Sequence, residues 1–180
     1  TYYRIGNYAN AANDFRQFTQ NAAPMDENYS LGWYNLGYAL FKQQQHNQAV
    51  NAFQQYIAAE RTKTRPEYAD ALNRIGDSYY FNRNFNEAER YYAQAADVNP
   101  ASADYAAYQR AFVMGLQHNY QGKITALDNL MRNYPHSQYF DDALYEKSRA
   151  LTMLNREKEA ITVLQRLVND FTGSPLASQG

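Results

Sequence analysis

Trp33-Tyr34-Asn35-Leu36-Gly37-Tyr38-Ala39-Leu40, read with Ala49 and Phe53 behind it, decides the fold. Its large apolar residues recur three and four positions apart, the spacing of a helix with one buried face. The arrangement returns at Leu72-x-x-Ile75-Gly76-x-x-Tyr79, followed by Ala88, Tyr92, Ala95 and Pro100. Gly37 to Gly76 and Ala49 to Ala88 are both 39 residues apart, so the match holds in register. Self-similarity at such a period marks an array of small stacked units. The underlying unit is nearer ~34 residues, with residues 60–65 read as an insertion between helices.

Each unit carries the same packing logic. Small residues at Gly37 and Gly76 let a second helix approach the first closely, and that helix answers with Ala49 or Ala88 at the crossing. Aromatics follow one turn on, at Phe53 and Tyr92. Pro100, and later Pro135, stop the chain before the next unit. A third unit keeps the frame with Ala107, Ala111, Met114, Tyr120, Leu127 and Leu130. There Lys123 occupies the alanine place, which predicts a wider crossing or a side chain reaching outward to solvent. A fourth unit runs through Leu144, Ser148, Leu151, Ala160, Leu164 and Leu167. At the front, Tyr8, Ala11, Phe15 and Phe18 read as a second helix whose partner survives only as residues 1–5. The expectation is all-α: a right-handed superhelical solenoid of antiparallel helix hairpins. Its divisions are a truncated hairpin at 1–26, repeats at 27–65, 66–100, 101–135 and 136–172, and a tail at 173–180. The start at Thr1 and the stop at Thr172-Gly173-Ser174-Pro175 read as cuts from a longer protein.

Composition narrows the function. Lys and Arg total 17 against 18 Asp and Glu, a net charge of -1. Nucleic-acid proteins usually carry a basic patch, so no nucleic-acid partner is expected. No run of about 18 apolar residues exists, so no membrane insertion is expected. Cysteine is absent, which removes disulfides and thiolate chemistry.

No catalytic constellation is visible, and the chain is not read as an enzyme. His46, His118 and His136 fall in turns, none pairs with a second histidine at metal-binding spacing, and all three are expected to be solvated. Asp141 and Asp142 sit where acids complement a helix start, and Glu87 and Glu89 lie on an outer face. No phosphate-cradling glycine motif occurs. The basic side chains in residues 60–65 read as a solvated loop, and Gln43-Gln44-Gln45 as the end of a helix. Neither metal nor cofactor is expected.

The motif set Trp33, Leu36, Gly37, Ala49, Phe53, then Leu72, Gly76, Tyr79, Ala88, Tyr92 and Pro100, resembles the tetratricopeptide repeat family, and the resemblance spans nearly the whole chain. The later segment Tyr134-Pro135-x-Ser137-x-Tyr139-x-x-Asp142-Ala143-Leu144-Tyr145 resembles a bacterial envelope subset of that family. That subset includes the periplasmic repeat protein of the Tol-Pal system and the repeat lipoprotein of outer-membrane assembly. It implies a periplasmic or outer-membrane-associated setting.

The resemblance also implies where a partner would lie, since first helices line the concave face in this family. Carried over one position at a time, the groove residues are Tyr34, Tyr38 and Phe41, then Asn73, Asp77 and Tyr80, with Arg74 beside them. Next come Tyr105, Tyr108 and Phe112, and finally Tyr145 and Arg149. Tyrosine, at 18 residues, thus concentrates partly along this line. Its ring supplies contact area at low entropy cost while its hydroxyl stays available. The family's carboxylate-gripping mode needs Lys and Asn where this chain has Tyr34 and Tyr38, so an extended segment or a helix laid in the groove fits better. The expected function is a protein-interaction scaffold for a protein or peptide. The alternative is a structural spacer or a homo-oligomer joined through repeat ends. Tyr79, Tyr91 and Tyr92 are expected to pack between neighbouring hairpins.

Overall fold

The structure, a computed structural model, describes residues 6–24, 26, 28–171, 173, 175 and 176. The expected helix remnant at 1–5, and Thr172 and Ser174 of the expected stop, lie outside the described residues. Those described form nine α-helices and no strand: α1 Tyr8–Asn21, α2 Tyr29–Lys42, α3 His46–Ala59, α4 Pro66–Phe81, α5 Phe85–Val98, α6 Asp104–Leu116, α7 Tyr120–Asn133, α8 Phe140–Met153 and α9 Glu157–Asp170. A single 3₁₀ turn, Pro100–Ser102, separates α5 from α6. The helices group into two compact units, Thr1–Pro100 and Ala101–Gly180.

One turn joins the two helices of every hairpin. Gln44, Arg83, His118 and Asn155 each adopt a left-handed backbone, with φ of 59°, 59°, 61° and 55°. In the first, the Gln45 N–H reaches back to Leu40 O at 3.0 Å and the Gln44 N–H to Phe41 O at 2.9 Å. That pair of bonds closes the last helical carbonyls, and Arg83, His118 and Asn155 repeat it. Asparagine then starts several second helices: Asn84 Oδ1 caps Glu87 N at 3.5 Å and Asn119 Oδ1 caps Gly122 N at 3.0 Å.

In the first unit, helix meets helix through a ring laid on glycine. A Cβ added to Gly37 would stand 2.7 Å from the Phe53 ring, and one on Gly76 would stand 2.7 Å from the Tyr92 ring. Gly32 receives Phe18 of α1 in the same way, at 2.6 Å. Phe53 is 0% and Tyr92 1% exposed, each burial contributing about 1.5–3 kcal/mol. Tyr92 therefore packs inside its own hairpin. Tyr91 is the residue that links hairpins, its hydroxyl accepting from Gln54 Nε2 of α3 at 3.0 Å while its ring stacks on Tyr79.

The second unit replaces ring-on-glycine with aliphatic-on-alanine. Ala111, Leu127, Leu130 and Ala143 form one buried cluster. Ile124 joins Ala150, Leu151 and Ala160 in another, and Phe140, Leu144 and Leu167 form a third. Lys123 contradicts the expectation of an outward-reaching side chain. It is 6% exposed. Its stem runs across Gly115, whose added Cβ would meet Lys123 Cδ at 2.9 Å. Its ammonium pairs with Glu146 of α8. An inward salt-bridge partner and a glycine to pass over explain why it turns in.

Candidate functional site

In the first unit, α2 carries Tyr34, Tyr38 and Phe41, and α4 carries Asn73, Asp77 and Tyr80, with Arg74 of α4 over the Phe41 ring at 6.0 Å. The residue that ties them together is Asp70, which the sequence reading did not single out. Tyr34 Oη donates to Asp70 Oδ2 at 2.8 Å, and Tyr38 Oη donates to the same oxygen. Arg74 Nε lies 3.5 Å from Asp70 Oδ1, and its Nη1 lies 2.5 Å from Asp77 Oδ2. Tyr92 Oη donates to Asp77 Oδ1 at 2.7 Å, so this 5% exposed carboxylate braces the wall from behind. The tyrosine rings pack edge-on, Tyr34 to Tyr38 at 5.1 Å and Tyr38 to Phe53 at 5.5 Å.

These contacts revise the expected chemistry of the tyrosines. The hydroxyls of Tyr34 and Tyr38 are spent inside the wall, and the half-buried rings are what they present. Burial, and next the Asp70 carboxylate, push both hydroxyls far above the usual tyrosine range. Asn73 carries the opposite feature: its side-chain oxygen is buried without a hydrogen-bond partner. At the end of this wall Phe81 is 56% exposed and stacks on His46 at 4.8 Å, with Phe41 6.1 Å away. His46 is thus half-buried, not solvated as expected, because α3 begins at that residue and α4 ends against it. Burial lowers its pKa, with the Asp77 charge opposing.

In the second unit, α6 and α8 bring together Tyr105, Tyr108, Phe112, Tyr145 and Arg149. Tyr139, just before α8, stacks on Tyr108 at 5.1 Å and meets Tyr105 edge-on at 6.0 Å. Burial raises the pKa of Tyr108, followed by the charges of Asp142, Glu146 and Asp141. Glu146 is the second residue absent from the sequence reading. It is 6% exposed and accepts from both Lys123 and, at 2.7 Å, Arg149 Nη1. A cavity of about 570 Å³ opens here, lined among others by Phe112, Tyr120, Lys123, Tyr145, Glu146 and Arg149. His118 stands at its edge, Nδ1 2.9 Å from Tyr120 Oη, while His136 is exposed. Among the described residues no cluster of His, Asp and Glu is placed to hold a metal ion, and no helix is long and apolar enough to cross a membrane.

Models of the tetratricopeptide repeat match residues 28–101 and 142–174, together more than half of the sequence. The chain belongs to the tetratricopeptide repeat family. Solved structures carry the same all-α superhelical repeat fold. A crystal structure of MamA has a TM-score of 0.79 at 15% identity, covering 93% of this chain and 91% of that one. MamA from Desulfovibrio magneticus RS-1 gives 0.75 at 15%, with coverage of 93% and 88%. YrrB, described as a tetratricopeptide repeat protein with an unusual peptide-binding site, gives 0.76 at 13%, covering 99% of this chain and 85% of its own. At these identities the likeness speaks for the fold. No curated protein matches the chain. Within the family frame, Asp70 and Glu146 both lie on first helices, on the faces that also carry the expected groove residues.

Proposed function

We propose that this tetratricopeptide repeat chain is a protein-interaction scaffold that holds a peptide or protein segment against the aromatic faces of its first helices. The observation that carries the reading is the pinning of Tyr34 and Tyr38 onto one Asp70 oxygen. Rings fixed before a partner arrives lose little entropy on binding, which is what an interaction face needs. The peptide-binding site named for YrrB, on the same fold, supports the same reading. A bacterial-envelope setting rests on residues 134–145 alone.

The test is capture of a partner from native-host lysate by wild type, by Tyr34→Ala/Tyr108→Ala, and by Asn73→Ala. Asn73→Ala removes a buried acceptor that has no partner, so it keeps the fold while taking away the polar group at an expected groove position. The double variant is checked by circular dichroism. Capture lost by both variants supports the scaffold; equal capture by all three refutes these faces as the working surface.

A second reading, self-association or packing onto further repeats, has its own observation. Ile161 and Val168 on α9 are 54% and 39% exposed, whereas Ile124, one repeat earlier on α7, is 5% exposed beneath α8. The α9 face is built like a covered one. If it joins copies end to end, mass in light scattering rises with concentration and Ile161→Lys abolishes the rise.

A further inference from the structure

The second unit carries more charge in its interior than packing requires. Where α3, α5 and α9 cross their partner helices with Ala49, Ala88 and Ala160, α7 crosses with Lys123. A buried ion costs several kcal/mol unless it is paired, and here the carboxylate pairing with Lys123 is Glu146 of α8. Its ammonium has three protons to donate, and among the described residues its one hydrogen-bond partner is Glu146. Glu146 has both oxygens occupied, by Lys123 and by Arg149. Two cations therefore face one carboxylate on the lining of an open cavity. At about 570 Å³, its volume falls within the ~300–1,000 Å³ of ordinary ligand pockets. The Arg149 side chain is 60% exposed, so it can reach an incoming group without being uncovered first. The remaining walls include Phe112, Tyr120, Tyr145 and Met153, which suit an apolar or aromatic body.

We propose that this cavity is a subsite for a carboxylate borne next to an aromatic or aliphatic residue, supplied by an acidic side chain within the bound segment. The proposal rests on the scaffold reading and adds the chemistry of the partner. An added carboxylate balances the second cation, takes the spare protons of Lys123 and the free edge of Arg149, and seats its apolar neighbour against the rings. It differs from gripping a chain terminus at the Tyr34 and Tyr38 positions, because the central cation comes from a second helix of another repeat.

The experiment uses the full chain and three peptides measured by calorimetry: acetyl-Ser-Phe-Glu-Ser-amide, its Gln counterpart, and acetyl-Ser-Gly-Ser-Phe with a free carboxyl terminus. The Glu peptide is expected to bind at least about tenfold more tightly than the Gln peptide, as a charge-assisted hydrogen bond implies. Arg149→Gln, a change on a largely exposed side chain that leaves Glu146 paired with Lys123, is expected to cost a similar factor while the circular dichroism spectrum stays that of wild type. Raising salt weakens the Glu peptide and leaves the Gln peptide unchanged. Equal affinity for Glu and Gln peptides, no binding of the Glu peptide, or indifference to Arg149→Gln overturns the proposal. A preference for the free-terminus peptide overturns its assignment to a side chain. If the peptides fail in any of these ways while wild type still captures a partner that Tyr34→Ala/Tyr108→Ala loses, the anion subsite falls and the scaffold stands. Loss of that capture difference as well brings down both.

Discussion

Restoring the family's customary alanine at position 123 is expected to harm this protein. Lys123→Ala leaves Glu146, 6% exposed, with Arg149 as its one remaining cation, and Arg149 is itself largely in water. Breaking a buried pair by removing one partner costs about 3–5 kcal/mol. Arg149 retains one carboxylate oxygen, which places the electrostatic loss at the lower end of that range. The vanished stem also opens space against Gly115 and Phe112. In Lys123→Ala/Glu146→Ala no buried charge is orphaned, and the remaining cost is the empty volume, about 2–3 kcal/mol at the low end for truncated core side chains. The double variant should therefore be more stable than Lys123→Ala alone, and the cycle completed with Glu146→Ala should show a coupling of about 1–3 kcal/mol, as for residues in direct contact. Urea denaturation followed by far-ultraviolet circular dichroism gives the free energies, and hydrogen exchange in α7 and α8 assigns the loss to the second unit. A Lys123→Ala variant as stable as wild type, or a double variant that is simply the sum of the singles, refutes the account of Lys123 as an inward, paired ion.

Two further outcomes follow from the packing and the titrations. Gly76→Ala should destabilise by about 1–2 kcal/mol in urea melts, because overpacking against the buried Tyr92 ring outweighs the ~1 kcal/mol helix-propensity gain; a neutral or stabilising result shows that the ring can move aside. Tyr34, Tyr38, Tyr56 and Tyr108 all have hydroxyl pKa values raised in the folded state, mainly by burial. Their contribution is thus fully present below the unfolded value near ~10 and is lost as pH rises above it. Absorbance at alkaline pH should show these four ionising together with unfolding, whereas independent titration near the ordinary value contradicts their burial.

The parts of this molecule legible in its sequence are those that repeat. Gly37 with Phe53 and Gly76 with Tyr92 were readable because a helix crossing fixes which positions must be small and which large, and the chain restates that rule 39 residues later. Asp70 and Glu146 were not, because each acts once. Tyr34 meets Asp70 across 36 residues and Lys123 meets Glu146 across 23, and no periodicity announces a side-chain pairing of that kind. Lys123 stands out in the sequence as a departure, yet its direction depends on Gly115, a residue outside the repeat's signature. His46 reads as a turn residue from its neighbours in sequence, while its burial comes from Phe81, at the end of a helix 35 residues on. Family likeness implies which residues would form a face but says nothing of the bonds among them.

The shared carboxylate of Asp70 has a consequence for how this face can change over generations. Two phenols lean on one acceptor, so the positions cannot drift separately. Exchanging Tyr34 or Tyr38 for phenylalanine strips a donor from Asp70 and leaves the ring outline untouched. Losing Asp70 strands two hydroxyls at once. Relatives with phenylalanine at both ring positions should accordingly have given up the acid as well, and those that keep the acid should keep at least one phenol. The three residues should be inherited as one unit, and an alignment of close kin in which they vary independently would refute that.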